Sequence, residues 1–160
     1  LSSPTTIVAK VGGFNDVLET DYYADPVQWA VDGNITSGTS ATTFSPNATC
    51  TTAQILTFLW RAKGSPEPVD GEALPFSDVK ESDYYYKAAL WAKENGLISG
   101  TTFNGNTPCT RASTMTADYS QAVAWAVKQG ITAGTSATTF SPDQTCTRGQ
   151  IVTFLYRAYA

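Results

Sequence analysis

Residues 125–158 read W-A-V-K-Q-G-I-T-A-G-T-S-A-T-T-F-S-P-D-Q-T-C-T-R-G-Q-I-V-T-F-L-Y-R-A, and residues 29–62 repeat them almost verbatim, 96 positions earlier. A cut-down version runs from 91 to 113. A chain that states one pattern three times is three copies of one supersecondary unit, none of which buries its apolar faces alone. Everything outside these stretches is lead-in, linker, or a place where one copy is damaged.

Within the first copy, Tyr23, Val27, Ala30 and Val31 fall on one helical stripe, predicting a helix over about 22–32. Asp25-Pro26 with Gln28 either caps this helix or lies inside its first turn, where proline is tolerated. Its end is marked by Asn34, matched by Gly96 and Gly130 in the other copies. Those residue types reach the left-handed conformation that stops a helix. A loop over 37–49 follows, holding Phe44 and the turn Ser45-Pro46-Asn47-Ala48. Thr51 with Gln54, and Thr147 with Gln150, are capping boxes opening second helices. The expected stripes are Ile55, Phe58, Leu59, Ala62 and Ile151, Phe154, Leu155, Ala158. Each full unit is helix, hooked loop, helix.

The boundaries follow. Residues 1–13 are a lead-in whose Ile7-Val8-Ala9-Lys10-Val11 suits a short strand with no local partner. Repeat 1 covers 14–64, a Pro- and Gly-punctuated linker 65–75, a truncated repeat 2 76–118, and repeat 3 119–160, together one domain. The truncation shows in spacing. Cys109 precedes the Trp of the next copy, Trp125, by 16 residues, whereas Cys50 precedes the equivalent Trp91 by 41. The second helix of repeat 2 is thus missing, with Ser113 to Asp118 in its place, and Asp118 with Gln121 opens the next box. The linker, or Ile7, Val8 and Val11, is expected to plug the gap.

Composition excludes several classes. The 160 residues are 42% apolar and 15% charged, as in folded soluble domains. A net charge of -4 disfavours nucleic acid, whose binders neutralise phosphates with basic surface. No apolar run reaches the roughly 20 residues a membrane span needs, so no membrane insertion is expected. No signal peptide is visible, so an exported protein would be represented here by a mature or excised fragment.

Phe14-x-Asp16-Val17, Ala-x-x-Trp-Ala, Gly-Ile-Thr-x-Gly, Thr-Phe-Ser-Pro and Thr-Arg-x-Gln before an amphipathic helix resemble S-layer homology repeats over residues 14–160. The variety with Cys-Thr-Arg-x-Gln is similar to that of surface proteins of gut-type Gram-positive bacteria. The resemblance implies a mainly all-α fold, three helix–loop–helix repeats about a pseudo-threefold axis. It also implies non-covalent anchoring of an exported bacterial protein to cell-wall polysaccharide, a secondary wall polymer that often bears ketal-linked pyruvate. The family's basic groove residue lands on Arg111 and Arg148, while repeat 1 has Thr52. The acidic residue that follows it in the family appears as Gln54, Ser113 and Gln150.

Read as residues, Arg111 and Arg148 stand at helix starts, where free backbone N–H groups and a bidentate guanidinium favour a carboxylate. The plainer reading is a surface Arg or a pair with Asp16, Asp78 or Asp118. Arg61 and Arg157 suit a helix C-terminus and are structural on this reading. Asp16 and Asp78 are expected to cap the first helix or its lead-in turn, a sugar contact being the lesser alternative. Trp125, with Trp29 and Trp91, stacks on sugar rings or builds an inter-repeat core. Cys50, Cys109 and Cys146 occupy one equivalent position. With no His for a fourth ligand they read as buried, reduced core thiols, not a metal site. No cofactor is implied. The absence of His also removes the ordinary nucleophile–base pairs, so no catalytic residue is assigned and the chain reads as a binding module.

The candidate ligand residues are therefore Arg148, Arg111, Gln150, Trp125, Asp78 and Asp16. Arg148→Ala is expected to weaken wall binding with stability nearly unchanged, and Thr52→Arg to improve it. The alternative function is a protein-interaction domain or adhesin on a decayed scaffold of this kind, binding a host or surface protein such as immunoglobulin.

Overall fold

A computed structural model describes residues 9–69, 76–111, 128–130, 134–136, 138–139 and 141–160. Among these residues there are four α-helices and no strand: α1 (Ala24–Asp32), α2 (Thr52–Ala62), α3 (Tyr86–Glu94) and α4 (Arg148–Tyr159). A 3-10 turn, Val11–Gly13, precedes them. The mainly helical fold expected from periodicity is the one found. Residues 112–118 of repeat 2, the segment up to residue 127 expected as the first helix of repeat 3, Trp125, the linker residues 70–75, and Ile7 and Val8 lie outside the described residues.

Local signals translate directly. Pro26 falls inside the first turn of α1, behind an N-cap at Tyr23. Asn34, Gly96 and Gly130 all adopt left-handed φ, at 56°, 69° and 72°, as the shared helix stop requires. Both capping boxes form: Thr51 and Thr147 accept from the N–H groups of Gln54 and Gln150, whose side chains accept from the cap N–H groups in return.

The burial of α2 is wider than one stripe. Ile55, Phe58, Leu59 and Ala62 pack on the core shared with α1 and α4. Ala53 and Leu56 face a second cluster with Phe76, Val79, Ala89, Ala92 and Phe103. The helix lies between two apolar bodies, so both flanks are covered. In α4 the fully sheltered residues include Val152 and Thr153 besides Ile151 and Leu155, while Ala158 is exposed.

One expectation about the connecting segments changes. Lys10 does find a local partner, an isolated bridge to Leu18, and this carries Val11 into the core beside Phe14 and Val17. The start of the linker is held in place: the Trp60 indole donates to the Pro66 carbonyl (2.9 Å), and Glu67 pairs with Lys87 (2.9 Å).

The three cysteines meet. The Cys50 N–H donates to the Cys146 carbonyl (2.8 Å), Cys109 to Cys50 (2.8 Å) and Cys146 to Cys109 (2.9 Å), closing a ring. The flanking residues bridge in the same order: Thr51 with Pro108, Thr110 with Thr145, Thr49 with Thr147. A head-to-tail ring of three equivalent residues satisfies buried backbone groups that no sheet is present to pair. No disulfide joins any of the three thiols, and all are fully buried. Burial pushes Cys50 up to about 12, and a hydrogen bond with Cys109 together with burial raises Cys146.

Candidate functional site: grooves between repeats

The ring order carries outward to the helix starts. The N–H of Thr52 donates to the Thr107 carbonyl, that of Arg111 to Gln144, and that of Arg148 to Ala48, each at 2.9 Å. Gly149 likewise donates to Pro46, and Ala53 to Gly105. Each second helix, or its counterpart, thus begins against the loop of the next repeat. The helix-start N–H groups expected to attract an anion are therefore already used, and attraction must come from the guanidinium groups themselves.

Arg148 is only 4% exposed. Its Nε–H donates to the Phe44 carbonyl (2.9 Å), and its guanidinium lies 4.8 Å from the centroid of the Phe44 ring and 5.2 Å from that of Phe58. Burial pulls its pKa below the ordinary guanidinium range, opposed by Cys50, Tyr84 and Asp16. Among the described residues, no carboxylate lies within ion-pair distance of it. Arg111 is also buried, 5.6 Å from the ring centroid of Phe154, the counterpart of Phe58. It opens on a cleft of about 320 Å³ lined also by Tyr22, Gln150, Thr153, Phe154 and Arg157. Each Arg therefore lies against an aromatic ring on the second helix of the following repeat.

Asp16 holds the loop that receives Arg148. Its two carboxylate oxygens accept from the N–H groups of Phe44 (2.9 Å) and Ser45 (2.8 Å). Asp78 does the same for Phe103 (2.8 Å) and Asn104 (2.7 Å), and those bonds hold its carboxyl below the usual range. Ser45 and Asn104 have φ of 59° and 53°, a conformation that needs such support in residues other than glycine. Asp16 and Asp78 therefore cap neither the helix nor its lead-in turn; the lead-in turn is held by Asp21 and Asp83, whose carboxylates accept from Leu18 and Lys80 N–H groups (2.8 Å each), and α1 and α3 begin without a side-chain cap bond.

The S-layer homology domain family matches residues 13–56, 75–115 and 112–152. The chain belongs to this family. It is a wall-anchoring module of the bacterial cell surface, as S-layer homology domains are. It is also similar to an endoglucanase of Bacillus sp. (strain KSM-635), 34% identical over 89 residues, which is 56% of this chain and 9% of that protein. The chain thus spans less than a tenth of the relative's length. Nothing in these comparisons supports a host-protein partner.

Among the candidates, the structure brings Arg111 and Gln150 into one cleft and places Arg148 against the rings of Phe44 and Phe58. The Gln150 carbonyl is taken by its capping box (3.0 Å). Asp16 and Asp78 act on the loops behind the grooves. Trp29 packs edge-on against Tyr156, with centroids 5.8 Å apart, and Trp91 packs on the second cluster. Sequence reasoning passed over Tyr22, Tyr84, Phe44, Phe58 and Phe154, and read Arg157 as purely structural although it lines the Arg111 cleft. A signal existed for the tyrosines: Asp-Tyr-Tyr recurs at 21–23 and 83–85, and its first Tyr stays 63% and 60% exposed. Among the described residues, no group of His, Cys, Asp and Glu is arranged to hold a metal ion, and no helix is long and apolar enough to cross a membrane.

Proposed function

We propose that the chain binds an anionic secondary cell-wall polysaccharide through two inter-repeat grooves, centred on Arg148 and Arg111, and thereby anchors a larger exported protein. The three repeats 14–64, 76–118 and 119–160 surround the cysteine ring as a pseudo-threefold assembly in this reading, which the cyclic order of the backbone bonds supports. One observation carries the ligand chemistry. The Arg148 guanidinium is nearly wholly withdrawn from water, yet no carboxylate among the described residues pairs with it. A buried cation without an internal counter-ion favours an external one, and a planar guanidinium meets a carboxylate with two parallel bonds. A ketal-linked pyruvate supplies that carboxylate on a sugar.

The short match to an endoglucanase fits a module that tethers a longer surface protein. The test is calorimetric titration with purified wall polysaccharide before and after mild acid removal of its pyruvate. Binding should be present before and lost after. Equal binding to both preparations would rule out the carboxylate as the recognised group.

A further inference from the structure

Beside the Arg148 groove lies a cleft that the anion site does not use. Trp60, on the outer flank of α2, has its indole N–H committed to Pro66, so the ring is fixed and only its faces remain available. Tyr84, just before α3, and Tyr86, its first residue, line the cleft with Trp60, together with the carboxylates of Glu81 and Asp83 and the Lys87 ammonium. The cleft, open to solvent, has a volume of about 390 Å³, within the roughly 300–1,000 Å³ typical of small-molecule sites.

Tyr84 joins this cleft to the groove. Its ring is exposed, while its hydroxyl lies within the fields of Arg148 and Arg61. It is thus a wall common to both. The cleft's own charge is balanced differently. Lys87 is already paired with Glu67, and Glu81 is an exposed carboxylate, so a second anion gains nothing there. Aromatic faces with an accepting carboxylate suit the C–H face and hydroxyls of an uncharged sugar.

The other groove lacks this platform. Tyr22 takes the place of Tyr84, but Ala24 and Asp25 stand where Tyr86 and Lys87 are. The counterpart of Trp60 is Tyr156, which packs edge-on against Trp29. The two grooves are therefore unequal in reach.

We propose that Trp60, Tyr84, Tyr86 and Glu81 form a subsite for a neutral sugar residue adjoining the anionic one at Arg148. That groove then reads a disaccharide, whereas the Arg111 groove reads a single residue. The inference rests on the wall-polysaccharide reading above.

Two synthetic probes separate them: a methyl glycoside of a pyruvate-ketal N-acetylhexosamine, and the same residue extended by one neutral N-acetylhexosamine. Calorimetry on the wild-type chain should show the disaccharide binding roughly three- to tenfold more tightly at one site. Trp60→Ala and, independently, Tyr86→Ala should erase that gain while leaving the monosaccharide affinity unchanged. Should Trp60→Ala fail to fold by circular dichroism, Tyr86→Ala and Glu81→Gln carry the comparison. Equal affinity for the two probes overturns the subsite and leaves the anion groove standing. Failure of the disaccharide alone overturns the subsite, and failure of both probes overturns the wall-polysaccharide reading with it.

Discussion

Arg148 donates its Nε–H to the carbonyl of Phe44 and lays its guanidinium over that same residue's ring, across 104 positions of sequence. The bond ties the start of α4 in repeat 3 to the loop of repeat 1. One residue thus both closes the domain and faces the groove, so its removal has two consequences.

Arg148→Ala should weaken binding of purified wall polysaccharide by tenfold or more, the worth of about 1.5–3 kcal/mol for a charge-assisted hydrogen bond. Its burial overturns the expectation of unchanged stability. The variant should also lose about 2 kcal/mol of unfolding free energy, from the Phe44 bond and two ring contacts. Arg148→Lys keeps the charge but not the planar stack or the fork, and should fall between on both measures. Calorimetry and denaturant unfolding on the three proteins check this.

The loop clamps predict a pH dependence. Asp78 has a lowered folded pKa because Phe103 and Asn104 N–H groups bond its carboxylate. A depressed folded pKa gives stability that is complete above the unfolded value, about 3.9, and is lost as pH falls through the folded one. Thermal midpoints should drop on acidification below about pH 4, and less steeply in Asp78→Asn. Asp16→Asn retains only one of two acceptor oxygens and should cost about 1–3 kcal/mol at neutral pH. A pH profile identical in wild type and Asp78→Asn would remove the clamp as its cause.

How much of this was legible in the sequence depends on range. Helix type, the two capping boxes and the left-handed stops at Asn34, Gly96 and Gly130 are set within a few residues, and periodicity shows them. The role of Asp16 depends on a loop 28 residues away, and its neighbours suggest a cap instead. The width of the buried face on α2 depends on a second cluster from another repeat, which one helix's stripe cannot reveal. Above all, repetition says that three copies exist but not which copy faces which. That order placed Phe58 beside Arg148 and Phe154 beside Arg111.

The thiols offer a check on the ring. Full burial and a Cys50 pKa near 12 leave almost no thiolate at pH 8, and the thiolate is the reactive form. Aromatic disulfide reagent should therefore modify Cys50, Cys109 and Cys146 slowly in native protein and at once in denaturant. Because their backbones make the ring bonds, Cys146→Val should be tolerated at less than about 1.5 kcal/mol. Rapid native labelling of any one of them would place that thiol outside the core.

The order of repeats also decides the fate of Thr52. The Arg of each repeat is received by aromatic rings of the next: Arg148 by Phe44 and Phe58, Arg111 by Phe154. Thr52 faces repeat 2, its N–H and hydroxyl both donating to the Thr107 carbonyl, at 2.9 and 3.1 Å. Repeat 2 supplies the loop ring, Phe103, but its sequence after Arg111 holds no counterpart of Phe58 before Asp118. On the sequence reading that repeat 2 lacks its second helix, the missing Arg and that helix belong to the same groove, and restoring the first does not restore the second. Thr52→Arg should leave the number of bound pyruvylated monosaccharides at two per chain, contrary to the gain that motif matching alone suggests. It should also lower stability by about 0.5–1.5 kcal/mol, since the hydroxyl's bond to Thr107 is lost. Native mass spectrometry with increasing monosaccharide counts the sites directly. A third ligand on Thr52→Arg, absent from wild type, would show that the cation alone makes a groove and that the receiving helix is dispensable.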